Sequence, residues 1–107
     1  MSLIVHEVAL DMIRSVQPLM ASIARHDRSL AVQIRRAASS VALNIAEAEY
    51  SDPGTKRSRF HTAAGSAAET RSALRVAACW RYIDESRADE SLLLLDRVLR
   101  MLWPLTH

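Results

Sequence analysis

Apolar residues recur at helical spacing in four stretches of the chain, and short polar breaks separate these stretches. Spacings of three to five residues place the apolar side chains on one face of an α-helix. The pattern predicts helices over residues 3–25, 28–49, 54–83 and 87–103. Because the connections are short, we expect an all-α, antiparallel, up-and-down four-helix bundle, with residues 1–107 forming one domain.

Local signals refine the predicted helix ends. Pro18 removes a backbone hydrogen bond inside the first helix, so we expect a kink near residues 14–17. Asp27 is the best N-cap candidate for the second helix. The Ser-Asp-Pro-Gly sequence at 51–54 is the strongest turn signal, because an acceptor side chain precedes a proline suited to the first helical position. Residues 84–86 mark the third turn.

The third predicted helix carries a run of small residues, 63–68, which includes Gly65. A glycine inside a helix costs about 1 kcal/mol relative to alanine. We therefore expect a facing helix to approach Gly65 closely, so that a leucine at this position would disrupt the packing.

The fourth predicted helix carries more apolar residues than one buried face needs. One stripe is formed by Leu92, Leu95, Leu99 and Leu102, and much of a second by Leu93, Leu94, Val98 and Met101. A second apolar face favours self-association. The alternative is a helix that packs centrally against the other three.

Composition agrees with long helices and short turns, since half the residues are apolar and only two are glycine. There are 14 basic and 12 acidic residues, for a net charge of +2, and all basic residues but one are arginine. The pI of about 9.2 permits nucleic-acid binding without requiring it.

The single cysteine, Cys79, cannot form an intramolecular disulfide, which favours a reducing compartment. Its place on an apolar helix predicts a buried structural thiol. The N-terminal residues lack the pattern of a signal peptide, and no apolar run is long enough to span a membrane. We therefore expect a soluble, cytoplasmic protein.

No constellation of residues predicts catalysis. The histidines are scattered and lack partners at metal-ligand spacing: His6, His26, His61 and His107. With two glycines there is no glycine-rich phosphate loop, and no nucleophile has a recognisable base. The sequence predicts a protein that is not an enzyme and that uses no metal or cofactor.

Three polar residues lie on otherwise apolar helices: Asn44, Glu47 and Glu69. A buried carboxylate needs a cationic or hydrogen-bonding partner, and Arg36 and Arg71 are the nearest candidates. We interpret the three as a structural polar network between helices. An acid pair for catalysis is the alternative.

Arginine supplies the other candidate site. Arg71 and Arg75 stand at i, i+4, where like charges repel unless acidic partners or an anionic ligand offset them. The alternative to a phosphate-binding surface is a solvated face with ordinary ion pairs, such as Asp96 with Arg100. The candidate phosphate-binding residues are Arg35, Arg36, Lys56, Arg57, Arg59, Arg71 and Arg75.

Several short motifs stand in a recognisable order. They are Gln-Ile-Arg-Arg-Ala at 33–37, Asn-Ile-Ala-Glu at 44–47, Phe60, and Ala-Gly-Ser-Ala-Ala-Glu at 64–69. In their order and spacing the chain resembles the bacterial four-helix-bundle proteins encoded in intervening sequences of 23S ribosomal RNA genes. That family is related to the accessory variability determinant of diversity-generating retroelements.

This resemblance implies a homopentameric ring with a basic surface. For the retroelement members it further implies binding to nucleic acid and to a reverse transcriptase. The resulting hypothesis is a non-enzymatic, oligomeric bundle that binds structured RNA or DNA through backbone phosphates. The alternative is a protein-interaction scaffold that docks a partner such as a reverse transcriptase.

Overall fold

The computed structural model describes residues 2–107, and side chains from residue 4 onward, so the predicted domain limit at residue 1 lies outside the described residues. The described chain is all-α, as predicted. Its helices are α1 (Ser2–Val16), α2 (Met20–His26), α3 (Arg28–Glu49), α4 (Pro53–Cys79) and α5 (Asp89–Thr106). Single 3-10 turns lie at Gln17–Leu19 and Glu85–Ala88.

The predicted first helix is interrupted by a 3-10 turn, Gln17–Leu19, and the two parts are α1 and α2. Pro18 has no N–H to donate, so the helix tightens locally instead of continuing its regular hydrogen bonds. The helix is therefore irregular at residues 17–19, whereas we expected a kink near residues 14–17, of which 14–16 are regular α-helix. Arg87, in the 3-10 turn that precedes α5, donates from Nη2 to the carbonyl of Pro18 at 3.2 Å.

Aspartate side chains begin α3 and α4. Asp27 accepts from the backbone N–H of Leu30 at 2.9 Å, as its position predicts. Asp52 accepts from the backbone N–H and the hydroxyl of Thr55, each at 2.9 Å. These bonds, the backbone one foremost, hold the pKa of Asp52 below its ordinary value of 3.8. Pro53 then occupies the first turn of α4.

The predicted end of the third helix at residue 83 is wrong, because α4 ends at Cys79. Arg81 has a φ of +63°, its N–H bonds to the carbonyl of Ala78, and the N–H of Tyr82 bonds to the carbonyl of Ala77. This is a Schellman motif, which turns the chain out of the helix. Glycine usually occupies the left-handed position, so an arginine there gave no sequence signal.

The helices form an antiparallel bundle in which α1 packs against α3 and α5, and α4 packs against the other sides of the same two helices. Across the α3–α4 seam, Ser40 meets Ser66 while Glu47 meets Arg59, so the residue numbers run in opposite directions. The fully buried core is continuous along the bundle and includes Met12, Ile23, Ile34, Val41, Ile45, Leu74, Leu95, Val98 and Leu102.

The small-residue run of α4 is not a site of close helix approach at Gly65. Ala63 and Ala67 are fully buried, but Gly65 lies on the exposed face between them. A Cβ built on Gly65 would meet nothing within 4 Å. The expectation that leucine cannot fit there is therefore wrong for the single chain. The prediction of a buried thiol is also wrong, since Cys79 is exposed.

The fourth predicted helix begins with the 3-10 turn at Glu85–Ala88 and continues as α5 three residues beyond the predicted end. Its buried face takes Leu95 and Leu102 from one predicted stripe and Val98 from the other. Leu93 and Trp103 remain 70% and 61% exposed. The single chain therefore leaves apolar surface on α5 uncovered.

Candidate nucleic-acid interface

The outward face of α3 carries three exposed arginines, Arg28, Arg35 and Arg36. Their direction follows from the inner stripe of the helix, where Ile34 and Val41 are fully buried. Residues 28–46 contain no acidic residue. Within the described chain no carboxylate oxygen lies within 4.0 Å of any of these three guanidinium groups. The face is therefore a row of uncompensated positive charges.

Two open grooves follow the seam between α3 and α4. Arg35, Arg36 and Arg59 line the first, together with Ser39, Ser40, Leu43, Asn44 and Glu47. Arg36 also lines the second, together with Arg28, Ser29, Val32, Gln33 and Glu69. Arg36 is thus common to both grooves. We call Arg28, Arg35 and Arg36 with these two grooves the α3 surface.

A polar network joins α3 to α4 beneath this surface. Asn44 donates from Nδ2 to the backbone carbonyl and the hydroxyl of Ser40, each at 2.9 Å, and Ser66 donates to the same hydroxyl at 2.8 Å. Arg59 pairs with Glu47 at 3.0 Å and donates to Asn44 at 3.4 Å. The partner of Glu47 is therefore Arg59, and not Arg36 or Arg71 as we expected.

Glu69 takes no part in that polar network. Its side chain is exposed and accepts from Gln33 Nε2 at 3.4 Å, a long hydrogen bond. It lies in the second groove with Arg28 and Arg36 but does not pair with either. An anion on the α3 surface would therefore lie near two carboxylates, Glu69 in one groove and Glu47, which is paired with Arg59, in the other.

The remaining candidate arginines lie elsewhere on the bundle. Arg71 pairs with Asp96 of α5 at 2.8 Å. The suggestion that Asp96 pairs with Arg100 is therefore wrong. Arg75 lines a groove on the outer face of α4 with Arg71 and Trp80. The seven candidate phosphate-binding residues therefore do not form one surface but fall into separate groups on the bundle.

Lys56 and Arg57 form the third set, at the start of α4. Arg57 Nη2 donates to the carbonyl of Thr106 at 3.2 Å, and Lys56 is half-buried. The carbonyl groups in the last turn of α5 lack helical partners, and a cationic donor there is also favoured by the helix dipole. Arg57 thus caps the C-terminal end of α5.

The described chain holds no arrangement that suggests bound metal or a membrane-spanning segment. Among residues 2–107 no three His, Cys, Asp or Glu side chains come close enough to hold a metal ion. None of the helices described is long and apolar enough to cross a bilayer. The ring centroids of His61 and His107 are 6.2 Å apart, and no acidic group completes a site with them.

Comparison with known proteins decides the family. A family model described as "23S rRNA-intervening sequence protein" matches residues 1–103. The chain belongs to this family. The family resemblance drawn from the motifs on α3 and α4 is therefore confirmed.

A solved structure has the same fold as this family member. It is a protein of unknown function from Bacteroides thetaiotaomicron, described as belonging to the S23 ribosomal protein family. The two chains are 21% identical, with 95% of this chain and 97% of the other covered at a TM-score of 0.85. No curated protein matches the chain.

In this member of the 23S rRNA-intervening sequence protein family, the motifs that carry the resemblance face one another across the α3–α4 seam. The motif at 33–37 supplies Gln33, which meets Glu69 of the motif at 64–69. Sequence reasoning missed Arg28, because it lies eight residues before Arg36 in the sequence and joins it only two helical turns further along α3. It also missed the aromatic cluster near Trp80, whose rings come from two separate segments.

Proposed function

We propose that this protein is a non-enzymatic, oligomeric bundle that binds structured RNA or DNA through backbone phosphates at the α3 surface. The observation that carries the proposal is the set of uncompensated arginines, Arg28, Arg35 and Arg36. Three like charges on one face repel one another and lower stability unless an anion offsets them. Guanidinium groups suit phosphate because they donate two parallel hydrogen bonds.

The spacing of these arginines suits an extended polyanion. Arg28 and Arg36 are eight residues apart, which corresponds to about 12 Å along a helix axis. A single phosphate cannot meet both, but successive phosphates of one nucleic-acid strand can. Arg59 contributes less to this proposal, because its charge is already paired with Glu47.

The experiment is fluorescence anisotropy with labelled structured RNA and duplex DNA, titrated with protein over a salt series. Three phosphate contacts per chain predict a slope of log affinity against log salt of about −2.7 for duplex DNA. Between about 50 and about 200 mM salt, that slope corresponds to a loss of about 40-fold. Absence of binding at low salt contradicts the proposal.

Matched variants assign the contacts. Arg35→Ala and Arg36→Ala should each weaken binding and reduce the slope by about 0.9. Arg97→Ala on α5, which lies diagonally across the bundle from α3, removes the same charge from an exposed site and should change binding little. If Arg97→Ala weakens binding as much as Arg36→Ala, net charge and not the α3 surface accounts for the affinity.

The proposed assembly is a homopentameric ring, as the family resemblance implies. Its support in the structure is the uncovered apolar surface of α5, where Leu93 and Trp103 are exposed. Light scattering coupled to size-exclusion chromatography measures the mass directly. A monomer at every concentration contradicts an oligomer, and another mass contradicts the pentamer.

A protein-interaction scaffold is the second candidate, with a partner such as a reverse transcriptase. The observation that favours it is the exposure of large aromatic side chains, Tyr50 at 94% and Trp103 at 61%. Co-purification with a reverse transcriptase, abolished by Tyr50→Ala and unchanged by Arg36→Ala, would support this candidate. Loss of both RNA binding and co-purification in Arg36→Ala would instead favour the α3 surface.

A further inference from the structure

Three aromatic rings stack at the end of the bundle where α2 and α4 terminate. The ring of His26 lies 5.1 Å from that of Tyr82 with 16° between their planes, and Tyr82 lies 6.5 Å from Trp80 with 15° between planes. These separations and near-parallel planes are typical of offset stacking. His26, Tyr82 and Trp80 thus form one aromatic ladder, which we call the Trp80 stack.

The ladder is held by the backbone on both sides. The left-handed Arg81 turns the chain between Trp80 and Tyr82, which lets two residues so close in sequence present parallel rings. Ser22 donates to the carbonyl of Tyr82 at 2.6 Å, and its own carbonyl accepts from His26 Nδ1 at 2.9 Å. Ser22 therefore holds Tyr82 against α2 and fixes the orientation of the His26 ring.

The ring of Trp80 is open to solvent, since the residue is 68% exposed. The indole therefore presents a flat, accessible face next to the ring of Tyr82.

Basic groups lie beside this ring. Trp80 lines the groove on the outer face of α4 with Arg71, Arg75 and uncharged residues, and no acidic residue lines it. Arg71 is paired with Asp96, but no carboxylate in the described chain lies within 4.0 Å of the Arg75 guanidinium. Arg75 also lines a neighbouring groove with Glu85 and Asp89, but neither carboxylate lies within 4.0 Å of its guanidinium.

We propose that the Trp80 stack binds an unpaired nucleotide, whose base stacks on Trp80 while its phosphate binds Arg75. Flat, exposed rings beside a free cation are the combination by which proteins bind single-stranded nucleic acid. An apolar protein segment would gain nothing from Arg75, and a duplex has no accessible base face. The proposal rests on the proposed function only in taking the ligand to be a nucleic acid, since it uses different residues.

Tryptophan fluorescence tests the stack directly, because the chain has only two tryptophans. Trp103→Phe leaves Trp80 as the sole tryptophan, and Trp80→Phe leaves Trp103 as the matched control. Short oligothymidylate should quench the emission of Trp103→Phe in a saturable manner. It should leave the emission of Trp80→Phe unchanged. Equal quenching in both variants, or none in either, overturns the proposal.

Affinity separates stacking from simple charge attraction. Trp80→Ala should weaken oligothymidylate binding by about 5- to 150-fold. An abasic oligonucleotide of the same length keeps the phosphates but lacks the bases, so it should bind the wild type as weakly as oligothymidylate binds Trp80→Ala. If both oligonucleotides bind the wild type equally, no base stacks and the proposal fails.

Duplex binding distinguishes this site from the α3 surface. Trp80→Ala should retain duplex affinity, and Arg36→Ala should weaken it. If duplex binds but oligothymidylate does not, the Trp80 stack is wrong and the proposed function stands. If Trp80→Ala changes the oligomer mass without changing any nucleic-acid affinity, the ring is a contact between copies, and the proposal is again overturned.

Discussion

Gly65 offers a direct test of how α4 packs. It lies in the middle of a 27-residue helix, its φ is not positive, and a Cβ there would meet nothing within 4 Å. Replacing it with alanine therefore adds helix propensity without a clash. The expected stabilisation is about 0.8–1 kcal/mol, the usual difference between the two residues inside a helix.

This magnitude converts into a measurable shift in melting temperature. Unfolding entropy of about 2.1 cal/mol/K per residue gives roughly 220 cal/mol/K for 107 residues. Gly65→Ala should therefore raise the melting temperature by about 4 °C. Far-UV circular dichroism at fixed protein concentration measures it, because association makes melting concentration-dependent.

Larger side chains sharpen the test. Gly65→Leu should also be tolerated, since leucine is a good helix former and the position is open. The control is Ala67→Leu, two residues away and fully buried, which should cost about 1–3 kcal/mol by overpacking the core. If Gly65→Leu destabilises the protein like Ala67→Leu, or changes its oligomer mass, another surface covers Gly65 and the reasoning is refuted.

Two further predictions concern helix ends. Arg81→Gly should stabilise the protein by about 0.5–1 kcal/mol in urea unfolding. Glycine relieves the strain of the left-handed conformation, and the greater entropy of the unfolded chain offsets only part of this gain. Arg81→Ala keeps the Cβ and should not stabilise the protein. Asp52 has a lowered pKa when folded, so its stabilising effect is present above its unfolded pKa and is lost as pH falls through the folded value. Asparagine at position 52 can cap the helix but does not titrate, so Asp52→Asn should make the melting temperature less dependent on pH between about pH 5 and about pH 2. The same pH dependence in Asp52→Asn as in the wild type contradicts this role.

Much of the fold was predictable because local signals determine it. The second predicted helix has the observed bounds, 28–49, since Asp27 supplies a recognisable cap and the turn at 51–54 follows. The end of α4 was not predictable, because an arginine occupies a position that usually requires glycine. Gly65 was misjudged for another reason: when residues on every side of a helix are small, the sequence does not indicate which side faces inward.

The candidate site was less predictable than the fold. Which arginines are free depends on the rotation and register of neighbouring helices, and these are properties of the whole bundle. Arg59 and Glu47 pair although they lie on different helices, as do Arg71 and Asp96. Neither pair has a local sequence pattern. By contrast, Arg35 and Arg36 could be identified, because residues 28–46 hold no acid that could pair with them locally.

The two proposed surfaces meet at one end of the bundle. His26, at the other end of the Trp80 stack from Trp80, precedes Arg28 of the α3 surface by two residues, and Tyr82, which follows α4, stacks on it. A duplex offers phosphates to the arginines of α3 but no free base to Trp80, whereas a nucleic acid in which a duplex continues into an unpaired segment offers both. If both proposals hold, such a junction, which is abundant in folded RNA, should bind more tightly than an uninterrupted duplex of the same length.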